Sequence, residues 1–120
     1  MKAEIKSLYS LQLEDTLINY LPDDVSNFGT WIRAYIGPQG EEGSEAFDIE
    51  VCTPEWLKSR CTIEGAMWGR HMLIVGAYDY EAIKAFIERY VATCHGDDWA
   101  AIATKLSRMG AWEFEDYRNR

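Results

Sequence analysis

The sequence predicts an α+β fold in one domain over residues 1–120: a small, mainly antiparallel sheet of about four strands, with two C-terminal helices packed on one face. Three observations carry this expectation. Residues 27–36 and 46–52 alternate apolar and polar side chains at period two on either side of a glycine-rich turn, the pattern of an antiparallel hairpin. From Tyr80 to Thr93 apolar side chains recur at helical spacing, and a second helical pattern follows Gly96. A chain of 120 residues that is 48% hydrophobic fills one core, whereas two domains would leave each half short of apolar interior.

Taken in order, residues 3–9 set Ile5 and Leu8 toward an apolar surface and predict a first strand of imperfect period. Residues 11–21 carry Leu13, Leu17, Ile18 and Leu21 at helical spacing before Pro22-Asp-Asp24 closes the segment; a helical turn or two and a packed loop both fit. In the strand over 27–36, Phe28, Thr30, Ile32, Ala34 and Ile36 share one face, and Trp31, Arg33 and Tyr35 share the other. The run Ile36-Gly-Pro-Gln-Gly-Glu-Glu-Gly43 then supplies the backbone freedom for a reversal. In the returning strand Phe47, Ile49 and Val51 oppose Asp48, Glu50 and Cys52, as in a half-exposed antiparallel strand.

Thr53-Pro-Glu-Trp56 switches the period, since Thr53 suits a helix cap, Pro54 the first helical position and Glu55 the positive helix end, so a short helix to about Arg60 is expected. Met72-Leu-Ile-Val75 is a continuous apolar run of strand length and predicts a central strand covered on both faces. Asp79 caps the helix over 80–93, whose solvent side carries Glu81, Lys84 and Glu88. Gly96 stops it, Asp97 caps the next helix, and Trp99, Ile102, Ala103 and Leu106 make that helix amphipathic up to Gly110. The tail Trp112-Glu-Phe-Glu-Asp-Tyr117 mixes aromatic anchors with acids.

Twelve Lys and Arg against twenty Asp and Glu give a formal charge of -8, so nucleic-acid phosphates are repelled and encounter with a basic protein is accelerated. No nucleic-acid or membrane partner is expected: the apolar runs are too short to span a bilayer, and no juxtamembrane basic cluster is present. Cys52, Cys61 and Cys94 are odd in number and lack paired metal spacing, and the start Met1-Lys-Ala-Glu-Ile5 has no apolar signal-peptide run. The chain reads as reduced and cytoplasmic, with its oligomeric state left open.

No catalytic set stands out. His71 begins an apolar strand and His95 ends a helix, where a cation suits the dipole, and neither has an announced nucleophile or orienting carboxylate. Cys52 precedes a helix start, a position that can lower a thiol pKa, while Cys61 and Cys94 have apolar neighbours and read as small core residues. The glycine-rich turn lacks the Lys and Ser or Thr of a phosphate loop, and its acids lack the ladder of a calcium loop; no cofactor and no metal are expected. Most of Trp31, Trp56, Trp68, Trp99 and Trp112 are expected in the core.

The acids of the turn have no assignment inside the protein, and the strand face beside them carries exposed aromatics. The candidate partner-binding residues are Trp31, Arg33, Tyr35, Glu41, Glu42, Glu45, Asp48 and Glu50. Two other readings stay open: a small enzyme using Cys52 with His71 or a carboxylate set, and a structural subunit that oligomerises through the aromatic strand face.

Five segments in this order carry a resemblance: Asn27-Phe-Gly29; Ile36-Gly-Pro-Gln-Gly-Glu-Glu-Gly43; Phe47-Asp48 with Val51-Cys-Thr-Pro-Glu-Trp-Leu57; Gly69-Arg-His71 with Leu73-Ile-Val75; and Leu106-Ser-Arg108 with Trp112-Glu-Phe-Glu-Asp-Tyr117. Together they resemble the immunity protein 8 family of bacterial polymorphic toxin systems, over most of the chain. The resemblance implies a small α+β protein that binds a cognate toxin from the same or a neighbouring cell and blocks it without chemistry of its own. It carries over no residue roles.

Overall fold

The predicted hairpin is the centre of the molecule. In the computed structural model, which describes residues 1–115, the chain runs through β1 (Ala3–Ser10), β2 (Asp15–Thr16), a 3-10 turn (Leu17–Asn19), β3 (Gly29–Pro38) and β4 (Glu45–Cys52). It continues through α1 (Pro54–Glu64), β5 (Met72–Ile74), α2 (Tyr80–Thr93), α3 (Trp99–Leu106) and β6 (Ala111–Trp112). One sheet forms in the order β2-β1-β3-β4-β5, with β6 also on β4. All pairs are antiparallel except β4 with β5, which is parallel.

Alternation along β3 and β4 sends Ile32, Ala34 and Ile36 with Phe47, Ile49 and Val51 to one side, where all six are buried. Helix α2 covers them with Ile83, Ile87 and Val91, and α3 with Ile102, Ala103 and Leu106. This is the expected core, with the two C-terminal helices on one face. Asp79 caps α2 by accepting a hydrogen bond from the Ala82 backbone N–H (3.1 Å).

Helix α1 belongs to the other side of the sheet. Gly29 shares the outer face with Trp31, and the Trp56 indole occupies the space where a side chain at residue 29 would lie: a Cβ there would stand 2.1 Å from the ring. Cys52, which register also places on the outer face opposite Gly29, is consequently fully buried. The helix runs beyond Arg60 to Glu64, where an Arg60–Glu64 ion pair spans one turn. Thr53 takes the expected N-cap position, with Pro54 following it, but makes no side-chain capping bond. Thr53 turns its hydroxyl to the start of β3 instead, accepting from the Phe28 backbone N–H at 3.1 Å.

Other expectations are corrected. Residues 72–75 are not a central strand: β5 has three residues, pairs only with β4, and leaves Ile74 56% exposed, so β4 takes the interior position. The far edge of β4 is shared, with β5 along Glu50, Val51 and Cys52 and β6 along Phe47 and Asp48. Asp98, not Asp97, caps α3 through the Ala101 N–H (2.8 Å). Over residues 11–21 the helical-turn alternative is the one realised, as the single 3-10 turn Leu17–Asn19, with Leu17 buried, Leu13, Ile18 and Leu21 exposed, and Asn19 bonded back to the Asp15 carboxylate (2.8 Å). None of the five tryptophans is fully buried; Trp68 is 92% exposed. Cys94 is buried as expected, whereas Cys61 is half-buried. Asp116 and Tyr117 of the tail lie outside the described residues.

The contact between Gly29 and Trp56 predicts that Gly29→Ala displaces α1 and destabilises the fold by about 1–3 kcal/mol in urea melts. Gly69→Ala, where an added Cβ meets nothing within 4 Å, is the control and should stay within about 0.5 kcal/mol of the parent.

Candidate partner-binding face

On the outer face the strand register lines up Tyr9, Arg33 and Asp48 across β1, β3 and β4. Arg33 grips Asp48 with a fork, Nε to Oδ1 at 2.8 Å and Nη2 to Oδ2 at 2.9 Å. That bidentate geometry holds both side chains in one pose, and it raises the arginine pKa above its already high ordinary value, chiefly through the hydrogen bond to Asp48. The pair is half-buried and carries no net charge.

Aromatic side chains flank it. Trp31 stands 41% exposed opposite Glu50, and Tyr35 lies half-buried opposite Ala46. Burial lifts the Glu50 carboxyl above the usual range, against a smaller opposing pull from Arg60 of α1. Glu50 is thus a desolvated acid between an exposed indole and the end of the sheet that α1 covers.

The hairpin tip is fastened rather than loose. Gly40 (φ 78°) and Gly43 (φ 97°) adopt the left-handed conformation that other residues resist. From β1, the Glu4 carboxylate accepts the Gly40 backbone N–H (3.1 Å), and Lys6 Nζ reaches the Glu41 carbonyl (2.7 Å) and Glu4 itself (2.7 Å). The lysine hydrogen bond, then the Gly40 N–H, holds the Glu4 pKa below its ordinary value. Glu41 and Glu42 remain exposed.

The eight sequence candidates therefore separate. Trp31, Arg33, Tyr35, Asp48 and Glu50 share one face; Glu41 and Glu42 sit at its hairpin end; Glu45 turns to the helix side. There Glu45 Oε1 accepts both indole N–H groups, from Trp99 and from Trp112 (3.2 Å), and ties β4 to α3 and β6. Sequence reading missed Tyr9. A bulge between Ile5 and Ser7 shifts the phase of β1, which only the uneven alternation around Leu8 hinted at.

The catalytic alternatives find little to use. Cys52 is sealed under α1, and burial first, then Glu50, pushes its thiol up to about 11, so the adjoining helix start does not activate it. His71 Nε2 bonds the Ser107 carbonyl (2.8 Å), and no hydrogen bond joins it to Cys52 among the described residues. Among those residues no group of three or more His, Cys, Asp or Glu could hold a metal ion, and no helix is long and apolar enough to cross a membrane.

A protein-family model described as Immunity protein 8 matches residues 3–117. No curated protein and no solved structure matches the chain.

Two outcomes follow from the burial of this face. A carboxyl with a raised folded-state pKa favours folding while protonated and loses that contribution as pH rises above its unfolded value of about 4.5. Glu50→Gln should therefore match the parent in stability below pH 4 and exceed it increasingly toward pH 7 in paired denaturation curves, a gap opposite in sign meaning that Glu50 is held as a favourable charge. In the native protein at pH 8, iodoacetamide should label Cys61 and spare Cys52 by peptide mass mapping, with Cys52 reacting only in denaturant.

Proposed function

The chain belongs to the Immunity protein 8 family, and from that premise we propose that residues 1–120 form one immunity domain that binds and neutralises a cognate bacterial toxin by protein–protein contact. The family match over residues 3–117 carries the reading of toxin inhibition. The docking surface we assign is the outer sheet face: Trp31 as the anchor, Tyr35 and Tyr9 beside it, the Arg33–Asp48 pair as a fixed polar centre, Glu50 at one end and Glu41 and Glu42 at the hairpin tip.

Its physical logic has two parts. The net charge of -8 and the acidic tip steer a basic toxin surface toward this face, which raises the association rate more than the final affinity. A half-exposed tryptophan beside a preorganised ion pair supplies the short-range fit, because a flat aromatic loses little side-chain entropy on docking. The buried, unactivated thiol of Cys52 supports inhibition without catalysis. Three free cysteines suit an encounter in the reducing bacterial cytoplasm, and the net charge of -8 disfavours nucleic acid as the partner.

The test uses the toxin encoded beside this gene. Trp31→Ala should weaken binding by about 2 kcal/mol or more, near thirtyfold, and abolish protection of toxin-expressing cells. Joint Glu41→Lys and Glu42→Lys reversal should slow association and flatten its salt dependence while leaving dissociation close to that of the parent. Unchanged affinity and protection in both variants would remove the outer face from the contact.

A further inference from the structure

On the helix side of the molecule an apolar cleft lies beside two arginines. Where β5 and β6 divide the far edge of β4, neither pairs with Ile49, and a cleft of about 340 Å³ opens between α2, β5 and the end of α3. Its floor is apolar, formed by Ile49, Leu73, Ile87 and Met109, and Phe86 on its wall is 54% exposed. Trp68, next in the chain to the lining residue Gly69, is 92% exposed. A concave apolar surface with an exposed aromatic on its wall is the form an interaction site takes.

The charge around it is what names the partner. Acids outnumber bases by twenty to twelve in this chain, yet Arg108 in the cleft wall and Arg89 on α2 enter no ion pair among the described residues. The Arg89 guanidinium lies over the Phe86 ring, 5.3 Å from its centroid, which fixes it beside the cleft. The other polar groups in the lining are already engaged: His71 Nε2 with the Ser107 carbonyl, and the Tyr90 hydroxyl donating to the Lys105 carbonyl at 2.8 Å. What remains available is an apolar hollow with two guanidinium forks at its margin that no carboxylate engages among the described residues, and guanidinium pairs best with carboxylate.

We infer that this cleft binds an acidic protein segment, whose large apolar side chain enters the hollow while flanking carboxylates pair with Arg89 and Arg108. Such a segment is opposite in charge to the basic surface assigned above to the toxin contact, so the two sites are separable. It does not depend on the outer face.

The probe is a blocked hexapeptide, Asp-Glu-Phe-Leu-Glu-Asp, titrated into the full chain while the methyl NMR signals of Met72, Met109 and Leu73 are followed. The expected result is saturable shifts at those methyls, weakened about tenfold by Arg108→Glu and again by Arg89→Glu, and lost with the Asn and Gln analogue of the peptide. Both arginines are exposed, and unchanged far-UV circular dichroism verifies that the variants are folded. Trp31→Ala should leave the titration untouched, which separates this inference from the toxin reading. Absence of shifts at millimolar peptide, equal binding of the amide analogue, or equally tight binding of 3-phenylpropionate alone would each overturn it, as would concentration-dependent self-association abolished by Phe86→Asp.

Discussion

A strand in the middle of a sheet needs hydrogen-bond partners along both edges, and the hairpin gives β4 only one. The second edge is completed from two distant parts of the chain. His71, just before β5, accepts the Glu50 N–H at 2.9 Å, and Val75, just after it, donates to the Cys52 carbonyl at 2.8 Å. At the other end Glu113, just after β6, donates its backbone N–H to the Ala46 carbonyl and accepts the Ala46 N–H with its side chain at 2.9 Å. Buried peptide groups left without such partners are costly, so this closure dictates where the remaining elements go.

Because β5 runs parallel to β4, the chain must cross over between them, and α1 makes that crossing on the outer face. It packs on one end of that face, through Trp56 over Gly29, while the row of Tyr9, Arg33 and Asp48 lies farther along the strands. Because β6 must return to β4 after α2 and α3 have covered the core, the C-terminal segment is tied back by the two indole bonds to Glu45. The cleft above Ile49 is the gap between the two short strands. Both candidate surfaces are thus by-products of closing one edge.

The surfaces differ in how their charge is held. On the outer face the cation is spent on Asp48, so the free charge around it belongs to Glu41, Glu42 and the desolvated Glu50. Beside the cleft the reverse applies, with Arg89 and Arg108 unpaired and no carboxylate bonded to either among the described residues. A net charge of -8 describes neither surface by itself.

Period and local chemistry alone were enough for β3, β4, α2 and the burial of their apolar faces, because alternation and 3.6-residue spacing act within one element and the hairpin turn joins neighbours in sequence. They also put Trp31, Arg33, Tyr35, Asp48 and Glu50 together, since side chains two apart on paired strands share a face. Tertiary structure decided the rest. The apolar run at 72–75 could not declare itself an edge strand, Glu45 could not reveal that two indoles from the C-terminal third would claim it, and Cys52 could not show that α1 would seal it. Each of those outcomes depends on which distant segment reaches the free edge of β4, and a local pattern holds no information about a partner that lies dozens of residues away.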